Sequence, residues 1–278
     1  MSEYEERLSN TPERFGIGVN AKNRRQRASA KRLSTVGQAR VLASFAAGME
    51  KRLAATSAIS QLHPQLDKKD IDRIQKIDSY VQSLARCYLS TGKLPEWSKS
   101  LNKDIKQFFR LRQLLSQPDA LTISIRLGRK VAEAALSAPR GPADFLASLI
   151  TRTLSVHGIK AQLVFNLEFI HGSCRENHPL HIHGALCVPG ERVHAVTQAL
   201  TRALASDYRA RWTNVAVLLE EPQPGGFWAS YCIKESAVTS EVLSIRGVRN
   251  KSASYSSRHQ SQRAKAFYDR IGDWVSTD

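Results

Sequence analysis

The chain has 278 residues, of which 42% are hydrophobic and 24% are charged, as in folded globular proteins rather than fibrous or disordered ones. Lys and Arg number 41 against 25 Asp and Glu, and the formal charge of +16 favours a polyanionic partner such as nucleic acid. No apolar run reaches the ~18 residues that span a membrane, and the polar start MSEYEERLSN is unlike a secretory signal. The cysteines show no paired spacing, so we expect free thiols and a cytoplasmic location; they are Cys87, Cys174, Cys187 and Cys232.

Two regions precede the first predicted strand. Residues 1–34 are predicted to be a basic, disordered arm, because AKNRRQRASAKR carries six cations and no acid and can contact phosphates. Residues 35–117 are predicted to be helical, because apolar residues recur there at spacings of three and four. The two stripes comprise Ile71, Ile74, Ile77, Val81 and Leu84, and then Leu101, Ile105, Phe108 and Leu115.

Residues 118–240 alternate strand-like and helix-like segments in the order β-α-β-β-α-β-α. The strands are LTISIRL, AQLVFNLEFI, HIHGALCV and TNVAVLLE, and the helices are PADFLASLITRTLSVHG, ERVHAVTQALTRALASDY and FWASYCIKES. A loop is expected after the first strand, and the second and third strands are expected to form a hairpin. The order predicts an α+β fold, an antiparallel β-sheet with helices packed on one face. Residues 241–278 are predicted to be a basic, mobile tail with a terminal helix.

A pair of histidines lies in the third predicted strand. Alternate residues of a strand share a face, so His181 and His183 are expected to project together while Ile182 packs the other way. Neutral imidazoles paired in this way suit a divalent metal ion. The pair therefore predicts a metal site on one face of the sheet.

A third metal ligand is available on the neighbouring strand. Glu168 lies in an otherwise hydrophobic strand and shares a face with Asn166. A carboxylate beside two imidazoles makes a mixed N and O ligand set that suits Mg²⁺ or Mn²⁺. His171 and His178, near the predicted hairpin turn, are alternatives for the same ligand position.

A zinc site is a second interpretation of this segment. Cys174, His178, His183 and Cys187 have a spacing that suggests four zinc ligands. However, His183 and Cys187 fall on one predicted strand, about 13 Å apart at ~3.3 Å per residue, which is too far for a shared ion. The spacing therefore disfavours structural zinc.

A tyrosine lies downstream in the short helix WASYCIKES. On a helix, Lys234 and Glu235 share a face with Tyr231, at three and four residues' distance. A tyrosine is a legitimate covalent nucleophile but a weak one at its free pKa, so a nearby lysine and a polarised phosphate would both assist attack. A core aromatic with a flanking surface pair is the alternative interpretation.

The combination of HPLHIHGAL with a downstream YCIKE resembles the HUH endonuclease superfamily. Within it, the chain is most similar to rolling-circle replication initiator (Rep) proteins of plasmids and phages. The resemblance covers residues 118–240, where the strand from residue 121 takes the place of the family's first motif. It implies an antiparallel catalytic domain that nicks single-stranded DNA.

The resemblance also implies roles for individual residues. His181, His183 and Glu168 would be the metal ligands, Tyr231 the nucleophile, and Lys234 an assistant that positions the scissile phosphate. The implied partners are single-stranded or extruded origin DNA, a host helicase and a host polymerase, with no membrane. A fused helicase is not expected, since no Gly-x4-Gly-Lys-Ser/Thr run occurs.

Other functions remain open at this point. A relaxase or a single-strand transposase would use the same site, although a relaxase more often places its tyrosine before the histidines. A non-catalytic origin-binding protein would need neither a metal nor Tyr231. Phe227 and Trp228, which open the tyrosine helix, are predicted either to stack on bases or to belong to the core.

Overall fold

The computed structural model describes residues 68–169, 177–209, 215–222, 227–248 and 250–269. The predicted arm and the part of the helical region before residue 68 lie outside the described residues. In chain order the elements are α1 (Lys68–Thr91), α2 (Lys103–Leu115), β1 (Ala120–Arg126), α3 (Arg129–Ser137), α4 (Pro142–Val156), β2 (Leu163–Phe169), β3 (Leu180–Cys187), a 3₁₀ turn (Gly190–Arg192), α5 (Val193–Leu204), β4 (Val217–Glu220), α6 (Phe227–Ile233), α7 (Ser236–Ile245), β5 (Ser254–Ser256) and α8 (Arg258–Asp269).

The described residues divide into two compact units, one within residues 110–264 and the other made of residues 68–109 with 265–269. Helix α1 lies in the unit that contains residue 109. Three residues of its predicted apolar stripe are buried, namely Ile74, Ile77 and Leu84, whereas the side chain of Val81 is not among those the structure describes. The predicted domain boundaries at 118 and 240 stay predictions. Among the described helices, none is both long enough and apolar enough to cross a bilayer.

The first unit is built on a five-stranded sheet in the order β4-β1-β3-β2-β5. All neighbouring strands are antiparallel, which confirms the predicted α+β class. The histidine strand β3 lies at the centre, with β2 beside it as expected for a hairpin. A central strand is held by hydrogen bonds on both edges, so its side chains are placed rigidly.

One face of the sheet is apolar and carries the main core. Ile123, Phe165 and Ile182 from the three middle strands are fully buried there. They belong to the same cluster as the inward stripes of α4 and α5, which comprise Leu146, Ile150, Leu154, Val196, Leu200 and Leu204. Both helices are amphipathic, so burying these stripes against the sheet stabilises the unit.

The prediction that the helices pack on one face is wrong for α6. Its Trp228 contacts His183, which points away from the apolar face, so α6 covers the histidine face. Every residue of β3 is consequently buried, including His181. In a half-exposed strand, polar residues alternate with apolar ones because one face meets water. Both faces of β3 are covered, which explains why LHIHGALC has few polar residues.

Two further segments differ from the sequence-based expectation. The loop expected after β1 contains helix α3, which buries Ala132 and Ala135 at a helical spacing of three. The segment predicted as a mobile tail supplies the edge strand β5, whose Tyr255 pairs with Phe165 and stacks on its ring at a centroid separation of 5.5 Å. Both elements are short, and short elements leave weak periodicity in a sequence.

Gly184 of β3 has no room for a side chain, because atoms of β2 lie too close to it. A Cβ atom at this position would lie 2.3 Å from the carbonyl oxygen of Val164 and 2.5 Å from Cβ of Phe165. Both neighbours belong to the paired strand, so neither can move without disturbing the ladder. The glycine next to His183 is therefore required by the packing of the two strands.

We predict that Gly184→Ala lowers the free energy of unfolding by about 1–3 kcal/mol, because the added methyl group overlaps backbone atoms. Urea denaturation of both proteins measures the difference. Gly190→Ala is the matched control, since no atom lies within 4 Å of its Cβ position, and a change of no more than about 0.5 kcal/mol is expected there. Equal stability of the two variants would contradict the close approach of β2 and β3.

Candidate functional site

Three potential metal ligands meet on the face of the sheet covered by α6. The register places Glu168 of β2 directly opposite His181, and His183 follows two residues along the same face. The Nε2 atoms of His181 and His183 lie 3.9 and 3.7 Å from Oε2 of Glu168. The ligand atoms of all three residues lie within 4.8 Å of one another, so the group can hold a metal ion.

The other ring nitrogen of each histidine has its own partner. Nδ1 of His181 lies 3.1 Å from the carbonyl oxygen of Pro179, which can only accept, so the neutral ring carries its proton on Nδ1. Nδ1 of His183 is hydrogen-bonded at 3.0 Å to the hydroxyl group of Ser124 on β1. These bonds orient both rings and leave the lone pair of His181 Nε2 directed at Glu168, as in metal sites with supporting partners.

Burial sets the charge state of His181. The residue is 6% exposed, and this burial lowers the pKa of the imidazole below the usual 6.5, although the Glu168 carboxylate acts in the opposite direction. The imidazole is therefore neutral at pH 7. The neutral form is the one that binds metals.

The two oxygens of Glu168 are used differently. Oε1 accepts a hydrogen bond from Nζ of Lys234. Oε2 is buried and accepts no hydrogen bond from any described residue, and it faces the two imidazoles. A buried carboxylate oxygen without a donor is unfavourable, so a cation bound among the three side chains would satisfy it. The donor set of two nitrogens and one oxygen fits a divalent ion.

Helix α6 brings the predicted nucleophile to this group. The ring of Tyr231 is 8% exposed and lies edge-on to His183, with 5.0 Å between ring centroids. The side chain of Lys234 is 1% exposed, and its Nζ lies 4.5 Å from the centroid of the Tyr231 ring. The five residues predicted from sequence therefore form one continuous cluster.

Trp228 holds α6 in place against the histidine strand. Its Nε1 donates a hydrogen bond of 2.6 Å to the carbonyl oxygen of Gly184. Its ring stacks on Tyr231 at an interplanar angle of 9° and a centroid separation of 5.0 Å. The tryptophan thus packs on the tyrosine within the protein, and this positioning contact was not predicted. The side chain of Phe227 lies outside the described residues.

Two other supporting residues come from β1, which the sequence did not connect to the site. Ser124 and Arg126 lie directly opposite His183 and His181. The alternation in TISIR predicts that Ser124 and Arg126 share one face of β1. It does not predict that β1 pairs with β3. A positive charge and a hydroxyl group therefore border the histidine pair from the side away from Glu168.

The alternative ligands do not join this group among the described residues. Nδ1 of His178 accepts a hydrogen bond of 3.0 Å from the backbone N–H of Leu180. Cys187 lies on β3 with His183, as predicted, and it does not belong to the ligand group of Glu168, His181 and His183; burial raises the pKa of its thiol to about 11. His171 and Cys174 lie outside the described residues.

No match is found when the chain is compared with protein-family models, with curated proteins and with solved structures. The resemblance to the HUH superfamily therefore stays an expectation that rests on the motifs. The chemistry of the cluster provides a separate basis for assigning a function, because geometry and charge in a site determine what it can do.

We predict that Ser124→Ala weakens Mn²⁺ binding about 10-fold, because His183 loses the partner that orients its ring. Electron paramagnetic resonance of free Mn²⁺ during titration measures the affinity. Thr122→Ala is the matched control: it removes a hydroxyl group from the same face of β1, but one that donates to the carbonyl oxygen of Glu220. If both variants bind Mn²⁺ equally well, Ser124 does not orient the ligand.

Proposed function

We propose that the protein is a metal-dependent nickase of the HUH type that cuts single-stranded DNA and starts rolling-circle replication of a plasmid or phage. One observation carries the proposal. Glu168, His181 and His183, a group that can hold a metal ion, lie in one cluster with Tyr231 and Lys234. A metal ligand set next to a tyrosine and a lysine can supply a Lewis acid, a nucleophile and a positive charge, which together suit a transesterification at phosphorus.

In the proposed reaction the phenolic oxygen of Tyr231 attacks the phosphorus of a phosphodiester. A bond forms between this oxygen and the 5′ phosphate, and the bond from phosphorus to the 3′ oxygen breaks. The phenol loses its proton, and the departing oxygen takes one up to become a 3′ hydroxyl group. One phosphodiester replaces another, so the nick is reversible and the 3′ hydroxyl group can prime a host polymerase.

Each residue of the cluster has a defined task. The bound Mg²⁺ or Mn²⁺ would polarise the phosphodiester, and Glu168, His181 and His183 would hold that ion. Lys234 lies against the Tyr231 ring, where its positive charge would bind a phosphate oxygen. Trp228 keeps the tyrosine ring in one orientation.

The charge distribution supports single-stranded DNA as the substrate. The formal charge of +16 favours a polyanion, and Arg126 lies on the histidine face opposite His181. A duplex would hold the scissile phosphate away from a site covered by a helix, so extruded or unwound origin DNA is needed. A host helicase would therefore supply the single strand.

A relaxase or an HUH-type transposase would use the same cluster. A non-catalytic origin-binding protein is the alternative of another class. Such a protein gains nothing from a buried carboxylate oxygen aimed at two imidazoles. The polar cluster on a buried face therefore favours the enzyme.

We predict that Tyr231→Phe reduces covalent protein–DNA adduct formation by about 10³-fold or more, because the nucleophilic oxygen is removed. Labelled single-stranded oligonucleotides that tile the protein's own replicon, incubated with Mn²⁺ and separated on a denaturing gel, measure the adduct. Tyr255→Phe is the control, since this tyrosine stacks on Phe165 at the apolar face. Cleavage that persists in Tyr231→Phe would remove the nucleophile assignment.

We also predict that His181→Ala abolishes metal-dependent cleavage, because a ligand of the metal ion is removed. The affinity for DNA should change by no more than about 2-fold, because the proposed role of the histidine is to bind the ion and not the DNA backbone. Cleavage assays and fluorescence anisotropy at one fixed salt concentration measure the two effects. His194→Ala, an exposed histidine bonded to Gln198 on α5, is the control. Retained Mn²⁺-dependent cleavage in His181→Ala would contradict its role as a ligand.

A further inference from the structure

Lys234 and the candidate metal position share one carboxylate. Nζ of Lys234 bonds to Oε1 of Glu168, while Oε2 faces Nε2 of both histidines. The lysine side chain is 1% exposed and the Glu168 side chain 12%, so water screens the pair poorly. The ammonium group is therefore the near countercharge of the carboxylate.

The charges of the cluster decide how readily a cation enters. The charges of the Glu168 carboxylate and the Lys234 ammonium group cancel each other. A divalent ion would add two positive charges within a few ångströms of the ammonium group. In a buried site such an excess is unfavourable unless an anion enters with the ion.

We propose that Lys234 competes with the metal ion for Glu168, so that the ion binds tightly only together with a phosphodiester. The proposal rests on the proposed function for the nature of the ion and of the anion. Lys234 is then a residue that sets metal affinity and couples it to substrate. Coupling of two ligands is reciprocal, so the ion strengthens phosphate binding by the same factor.

The surroundings of the pair support this coupling. Arg126 lies opposite His181 on the same face and adds to the positive potential at the histidines. Lys234 lies on the Glu168 side of the histidines, and Arg126 lies on the β1 side, where its Nη1 also donates a hydrogen bond to the carbonyl oxygen of Val215. A phosphate group bound beside the ion would be attracted by the charge of both side chains. The sum of these charges is strongly positive, which favours an anion over any neutral ligand.

The test is a Mn²⁺ titration of the full-length protein, followed by electron paramagnetic resonance of the free ion. Lys234→Met keeps the length of the side chain and removes its charge, and we expect Mn²⁺ affinity to rise about 10-fold. Lys234→Arg keeps the charge, and its affinity should stay near that of the wild type. Lys251→Met, at an exposed lysine bonded to Ser244, is the control.

The coupling itself is measured in the Tyr231→Phe background, where DNA is not cleaved. Saturating oligothymidylate should raise Mn²⁺ affinity about 10-fold when Lys234 is present and distinctly less in Lys234→Met. Unchanged or weaker Mn²⁺ binding by a folded Lys234→Met protein would overturn the proposal.

A second measurement applies if Lys234→Met does not fold. The wild-type melting temperature is then recorded with Mn²⁺, with oligothymidylate and with both. A combined gain larger than the sum of the separate gains is expected, and a gain equal to the sum overturns the proposal. Absence of Mn²⁺ binding in every protein would remove the proposed metal centre as well, whereas binding that ignores Lys234 would remove this inference alone.

Discussion

The antiparallel register of β1, β3 and β2 is the constraint on which the site depends. It places Glu168 opposite His181 and Ser124 opposite His183, and it places Ile182 in the apolar core. A slip of one residue would exchange the two faces of β3, so both histidines would enter the core and the ligand group would be lost. The burial of the apolar face therefore fixes the geometry of the polar one.

The second constraint is the attachment of α6 to the polar face. Trp228 binds the backbone at Gly184 and Lys234 binds Glu168, so the helix is held near both of its ends. Tyr231 lies between these two anchors and cannot rotate far from His183. The attachment also shields the cluster from water, and charges in a drier site act more strongly on one another.

Local pattern and long-range pairing were predictable to different degrees. Alternate residues of any strand share a face, so the common face of His181 and His183 followed once the segment was predicted to be a strand, and the helical placement of Tyr231 was predicted as well. That Glu168 faces His181 depended on the hairpin register, and the intervening link carries no pattern that fixes it. Three other features join residues that are far apart in the sequence, and the local periodicity of a sequence carries no information about such contacts. They are the contact between Lys234 and Glu168, the covering of the polar face by α6, and the three-residue strand β5.

The two faces of the sheet have opposite effects on stability. Burial of apolar side chains such as Ile123 and Phe165 lowers the free energy of the folded state. Burial of Glu168 and Lys234 removes their hydration, and their mutual attraction offsets this cost only in part. Replacing a buried ion pair by a well-packed apolar pair often leaves the stability of a protein unchanged or raises it. The ion pair is therefore poorly explained as a device for stability, and well explained if the carboxylate is needed for an ion and the ammonium group for a phosphate.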